Sequence, residues 1–249
     1  MNMTFFSTVI LICCLISLSD AGGKFNIEDN GEYGGNVEQY VWNIISPGAG
    51  FGNVPSNKCI RDKLLELLNN SSTVYTRWGR NDCPDTSDLV FTGYIAGGNG
   101  CYKGAGKNAQ CMPTTPDKSD RLQSGSGSRA YLYGAEYETA GYVSAFAQVN
   151  NGDAVCAVCR ARGKSTNLMI PAKRNCPSDW TKEYEGLLMG SKSTYYGSEY
   201  ICVDANPEMR QSSTGNNIGF LLYPIEGKTS PLPSPYINGY ELSCVVCTV

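Results

Sequence analysis

Cys156-Ala157-Val158-Cys159 and Cys244-Val245-Val246-Cys247 are the same short text written twice, and their reading decides the fold. Small and β-branched residues between the cysteines favour a strand over a helix N-terminus. On a strand, residues three apart face opposite sides of the sheet, so the two cysteines of each motif cannot easily bond one another. Each must reach a different partner. The repeat extends outward from these motifs. Asp82-Cys83-Pro84-Asp85 returns as Asn175-Cys176-Pro177-Ser178, and Phe91, Gly93 and Gly97 return as Tyr184, Gly186 and Gly190. Cys111 with Pro116 returns as Cys202 with Pro207. Matched positions in one order identify a tandem duplication of a unit roughly 90 residues long.

The two Cys-x-x-Cys motifs exclude other chemistry by context. A thioredoxin-like redox pair needs a helix N-terminus to lower its thiol pKa. A zinc ribbon needs a much shorter gap between its pairs. The structural reading remains. Each unit then holds an early cysteine (Cys83, Cys176), a middle one (Cys111, Cys202) and a terminal pair, so two bridges close each unit. The duplication leaves open which member of the terminal pair takes which partner. Cys59 and Cys101 lie outside the repeat.

The chain begins with an apolar run from Phe5 to Leu18, too short to span a bilayer and followed by Ser19 and Ala21 at the positions that suit signal cleavage. Residues 1–21 therefore read as a signal peptide, and the mature chain as secreted. Cys13 and Cys14 leave with it. An even set of cysteines bound for an oxidising compartment reads as disulfides. Asn69 and Asn70 head overlapping glycosylation acceptors on the same route.

The formal charge of −3 provides no basic field for nucleic acid or anionic lipid, and no other apolar stretch reaches membrane length. Histidine is absent, which excludes Ser-His-Asp and Cys-His catalysis and His-ligated zinc. Catalysis would have to rest on carboxylates, with Glu183 and Glu185 or Glu136 and Glu138 as the pairs whose spacing puts both on one side of an extended segment. Neither pair is backed by a further motif, and the reading is non-catalytic, without cofactor or metal. Asp82, Asp85 and Asp88 lack the twelve-residue calcium loop pattern and read as a solvated turn. The glycine run from Gly97 to Lys107 lacks phosphate-loop spacing and reads as a loop.

Residues 22–72 form an N-terminal segment. Ser56 is a plausible N-cap, and Ile60, Leu64, Leu67 and Leu68 fall on one helical stripe, so a short amphipathic helix is expected there, docked on its own domain or serving self-association. Residues 73–160 form the first repeat unit and 161–249 the second. Both are β-like in composition, with short runs such as Leu89-Val90-Phe91 and Tyr142-Val143-Ser144-Ala145-Phe146. Polar loops are expected at 113–129 and, with three prolines, at 227–235. The fold class is all-β: two tandem pseudo-symmetric, disulfide-stapled subdomains behind a short helix. Tyr131, Tyr133, Tyr137, Tyr195, Tyr196 and Tyr200 are either ordinary sheet tyrosines or a glycan-binding surface whose ring faces pack on sugars.

Several stretches carry a resemblance. Cys176-Pro177-Ser178-Asp179-Trp180, Cys156-Ala157-Val158-Cys159, Thr76-Arg77-Trp78-Gly79-Arg80, Gly134-Ala135-Glu136-Tyr137-Glu138, Ile170-Pro171-Ala172 and Glu199-Tyr200-Ile201-Cys202-Val203-Asp204 resemble the C-terminal noncollagenous domain of sponge short-chain, spongin-type collagens, and more distantly that of type IV collagen. The resemblance covers roughly residues 73–249. It implies an all-β pair of subdomains, an extracellular-matrix setting, a tendency to trimerise, and matrix proteins or glycans as partners. It also implies crossed pairing: Cys83–Cys159 with Cys111–Cys156, and Cys176–Cys247 with Cys202–Cys244. By elimination Cys59 then pairs with Cys101, or bonds a second chain. The chain departs from the collagens in having no Gly-X-Y repeat, hence no triple helix, and fewer cysteines per half.

Overall fold

Val155–Arg162 is a strand, and both of its cysteines are buried, on opposite faces. Cys156 belongs to one apolar cluster with Ile95, Tyr137, Phe220 and Leu222. Cys159 belongs to a second, with Tyr75, Tyr184, Leu188 and Cys244. The i, i+3 spacing thus feeds two cores from one strand.

The computed structural model describes residues 71–117, 129–141, 143–229 and 231–249. In chain order the strands are β1 (Ser72–Trp78), β2 (Ser87–Gly97), β3 (Gln110–Pro113), β4 (Tyr133–Tyr137), β5 (Val155–Arg162), β6 (Asn167–Pro171), β7 (Thr181–Gly190), β8 (Ile201–Asp204), β9 (Phe220–Pro224) and β10 (Ser243–Thr248). They make a ten-stranded sheet in the order β6-β10-β7-β8-β1-β5-β2-β4-β9, with β3 on β2. Nearly all of the pairing is antiparallel; β1–β8 and β4–β9 are parallel.

The repeated text has a repeated register. Gly93 faces Cys156 across β2–β5, and Gly186 faces Cys244 across β7–β10. Ile95 faces Cys111 across β2–β3, and Leu188 faces Cys202 across β7–β8. Each long strand shifts register at the corresponding place, between Leu89 and Phe91 in β2 and between Lys182 and Tyr184 in β7. Such bulges leave one residue unpaired and re-aim its side chain. In β7 that residue is Glu183.

Strands from 73–160 and from 161–249 share the one sheet, joined where Trp78 meets Val203 and where β4 runs beside β9. Residues 71–249 accordingly form a single compact unit. The segment 144–146 departs from the β-like reading: Ser144–Val149 is a 3₁₀ helix. Its buried residues, Phe146 and Val149, stand three apart, the spacing that eclipses on a three-residue turn and brings both to one face. Leu89 to Phe91 does lie in a strand. The amphipathic helix expected after Ser56, the signal peptide, and Asn69 and Asn70 lie outside the described residues.

Four disulfides staple the sheet: Cys83–Cys159, Cys111–Cys156, Cys176–Cys247 and Cys202–Cys244, with Cα separations of 5.8, 5.8, 5.8 and 5.6 Å. These are the crossed pairs that the resemblance implies. They are consistent with an extracellular protein. Cys101 carries a free, exposed thiol on the loop after Asn99, and the bridge expected between it and Cys59 involves a residue outside the described ones. Cys59 lies outside the described residues. Among the described residues, no helix is long and apolar enough to cross a membrane.

Candidate functional site: two clefts about Tyr133

β4 brings Tyr133 opposite Gly97 of β2, and β9 brings Tyr223 opposite Gly190 of β7, another matched pair of positions. Each tyrosine has a companion from the loop that follows the long strand. Tyr102 lies 6.2 Å from Tyr133 between ring centroids, and Tyr195 lies 6.1 Å from Tyr223. The second pair is closed by a cation: Lys192 Nζ stands 4.3 Å from the Tyr195 centroid and 5.1 Å from that of Tyr223. Burial, and then the nearby Glu138 charge, push the Tyr223 hydroxyl up to about 12.

The first pair stays open. Tyr131 adds a third ring at 6.5 Å from Tyr133, and the three tyrosines with Asn99, Gly104 and Ala105 line a cleft of about 330 Å³. Tyr102 and Tyr131 are 59 % and 60 % exposed. Aromatic faces presented this openly are surfaces for stacking, and their hydroxyls are available to a polar ligand.

Tyr133 also walls a second cavity of about 320 Å³, lined by Tyr94, Ile95, Glu136, Asp153 and Ile218 among others. Glu136 is 3 % exposed. Its Oε2 accepts a 2.9 Å hydrogen bond from the backbone N–H of Asn217, while its buried Oε1 has no partner among the described residues. Burial, reinforced by the charges of Glu138 and Asp153, raises the Glu136 carboxyl above the ordinary glutamate range. Arg210 does not relieve it, because Arg210 is spent on Asp153, with Nε 2.8 Å and Nη2 2.5 Å from Oδ2.

The residues singled out from sequence separate in space. Tyr131 and Tyr133 meet at the open cleft. Tyr196 and Tyr200 are exposed elsewhere, Tyr196 beneath Lys107 at 5.6 Å. Tyr137 is fully buried, so it is a core residue and not part of a glycan surface; its hydroxyl donates to the Glu208 carbonyl at 3.1 Å.

The carboxylate pairs divide as well. The bulge in β7 turns Glu183 inward, where Oε2 accepts from Tyr75, Thr86 and Ser87 at 2.9, 2.6 and 3.2 Å, and Oε1 accepts from Thr248 at 2.6 Å. Glu185 instead pairs on the surface with Arg174 and Lys182. Glu136 lines the cavity, whereas Glu138 acts on Lys192 and Tyr223. Of the three aspartates, Asp82 is held by Arg77 and Arg80, and Asp88 by Arg160 and Arg162. Among the described residues, no three acidic or cysteine side chains gather around a point that could hold a metal.

Tyr102 and the open Glu136 oxygen escape a reading by motif. Tyr102 had a signal: it stands to Cys83 as Tyr195 stands to Cys176. The unpaired oxygen had none, because satisfaction of a buried acceptor is a tertiary property. A comparison with models of known protein families finds none that matches the chain.

Proposed function

We propose that this is a secreted, non-catalytic structural or interaction protein of extracellular or mineralised matrix. The observation that carries the reading is the stapling: in each half one cysteine of the terminal Cys-x-x-Cys strand is bridged to the loop that leads into the long strand, and the other to a short strand, β3 or β8. A sheet fixed on both faces holds its surface geometry through proteolysis and mechanical load, which durable extracellular contacts require. The residue-level likeness to the noncollagenous domain of spongin-type collagens supports the same setting, including assembly into trimers. Purified mature protein passed over matrix collagens and over mineral is expected to be retained on at least one. Flow-through on both overturns the proposal.

A second reading rests on the open tyrosine cleft. Three tyrosines with Asn99 beside them suit a soluble carbohydrate-binding or defence protein. A glycan array decides it: saturable binding, competed by free sugar and lost in Tyr102→Ala, supports this reading, and a blank array removes it.

A further inference from the structure

The cavity beneath Tyr133 is lined by a glutamate, Glu136, whose buried Oε1 has no partner among the described residues. From its lining we infer that it is a binding site for a primary ammonium group carried on a short aliphatic or alicyclic body, with Glu136 Oε1 as the acceptor. A lysine side chain of a partner and the amine of an amino sugar share this chemistry. The inference stands independently of whether the protein's partner is matrix protein or glycan.

Four features lead to it. Oε1 of Glu136 is buried and has no partner among the described residues, while Oε2 is already fixed by the Asn217 N–H. A buried acceptor left unpaired is costly, and a carboxylate oxygen more so. The local charge is negative: Glu136, Asp153 and Glu138 act there, and the cation in the lining, Arg210, is committed to Asp153. A charge-assisted hydrogen bond from an ammonium answers both deficits at once. Apart from Asn217, the remaining lining is apolar or aromatic. Ile95, fully buried, and Tyr94 and Ile218, 40 % and 70 % exposed, supply apolar and aromatic surface for methylene groups entering from solvent. Tyrosine faces also favour cations. The cavity volume of about 320 Å³ takes a butylammonium or a single amino sugar with room to spare.

The duplicated half shows the same preference. Tyr223 occupies the position matched to Tyr133, and there the chain supplies its own ammonium, from Lys192. Beside Tyr133 the residue matched to Lys192 is Asn99, which is buried and accepts from the Cys101 N–H, while Arg129 is a cation in the lining of that cleft.

The test uses the full mature chain and titration calorimetry at neutral pH. The probes are n-butylamine, N-acetyl-lysine methylamide and glucosamine, with n-butanol and N-acetylglucosamine as uncharged counterparts. At least one amine is expected to bind tenfold or more tightly than its uncharged counterpart. The lysine derivative binding best marks a protein partner, and glucosamine binding best marks an amino sugar. Glu136→Gln preserves shape and the Asn217 bond and is expected to weaken amine binding at least tenfold. Ile218→Lys, which changes only the exposed rim, is expected to supply the cation internally and block the amines. Ile237→Ala, at an exposed position outside both clefts, should leave amine affinity within twofold. Affinity of every amine equal to that of its uncharged counterpart overturns the inference, as does amine binding unchanged in Glu136→Gln. Absence of binding by every amine at millimolar concentration overturns it too, and leaves an ordered water as the partner of Oε1.

Discussion

A β-carbon added at Gly93 would overlap the Met112 carbonyl oxygen, and one added at Gly186 would overlap that of Val203. The short strands β3 and β8 are drawn so close to the long ones that backbone stands where a side chain would be. This explains why the duplicated text repeats glycine at this place. Gly93→Ala and Gly186→Ala are each expected to destabilise by about 1–3 kcal/mol or more, read as lower urea midpoints. Gly104→Ala, where an added β-carbon meets open space, should be neutral and serves as the control. Glu136 behaves in the opposite sense. Its folded carboxyl is raised, so the folded state binds that proton more tightly than the unfolded chain. The ionised form therefore costs stability at neutral pH, and the cost fades as pH falls through the raised value towards the ordinary 4.5. Glu138, Asp153 and Arg210 set the surrounding field. Glu136→Gln should thus be more stable than the natural protein at pH 7, with the difference shrinking in thermal melts as the pH is lowered towards 4.5. At this scale the cysteines and matched glycines were legible, because they are chemically singular and recur in order. The surroundings of Glu136 and Glu183 were not, since nothing in a glutamate's neighbours in sequence says which hydroxyls will meet it across a sheet.

Strands β1, β2, β7 and β10 are tied by one polar hub. Glu183 collects hydroxyl protons from Tyr75, Thr86, Ser87 and Thr248, one or more from every strand or strand entry around it. Burial, and the Glu183 charge among lesser causes, raise the Tyr75 phenol, which keeps it a proton donor throughout the physiological range. Glu183→Ala strands these hydroxyls in a buried site and is expected to cost about 3 kcal/mol or more. Circular dichroism melts should show Tm falling by several degrees, and an unchanged Tm would show the hub to be dispensable. The hub exists because of the bulge that leaves Glu183 without a cross-strand partner. Bulges of this kind are invisible in a period-two pattern, which is why the pair Glu183 and Glu185 reads from sequence as one-sided. The segment around Phe146 shows the converse. Its apolar run reads as a strand, but Phe146 and Val149 follow the three-residue period of a 3₁₀ turn once Asn150 has bonded back to Thr139 and Ala140.

Across the whole molecule, two joints make the duplicated halves one sheet. Arg77 of β1 bridges to Asp204 of β8 at 2.8 Å, with Asp204 almost fully buried, and β4 lies beside β9. Both joints involve residues that carry the likeness to the noncollagenous domain, but their meeting depends on long-range topology that spacing alone does not encode. The all-β class and the closure of each half by two bridges of its own were readable from the duplication and the strand-like text between cysteines, while the crossed order within each terminal pair came from the resemblance. The shared sheet was not, because a repeat of text says nothing of whether its copies stand apart or interleave. Each bridge closes a loop of 42 to 76 residues. Replacing Cys111 and Cys156 together by Ala should cost about 4 kcal/mol in the loop-entropy account and lower the urea midpoint accordingly. The double replacement of Cys202 and Cys244 should cost nearly the same, as its loop is of similar length.

The account stands most directly on the cysteine map. Proteolysis of the unreduced mature protein at low pH, followed by mass spectrometry of the linked peptides, should find Cys83 with Cys159, Cys111 with Cys156, Cys176 with Cys247 and Cys202 with Cys244. It should find no bond that crosses from one half to the other. A peptide joining Cys83 to Cys176, or either of them to Cys111 or Cys202, would contradict the duplicated framework on which the fold is built.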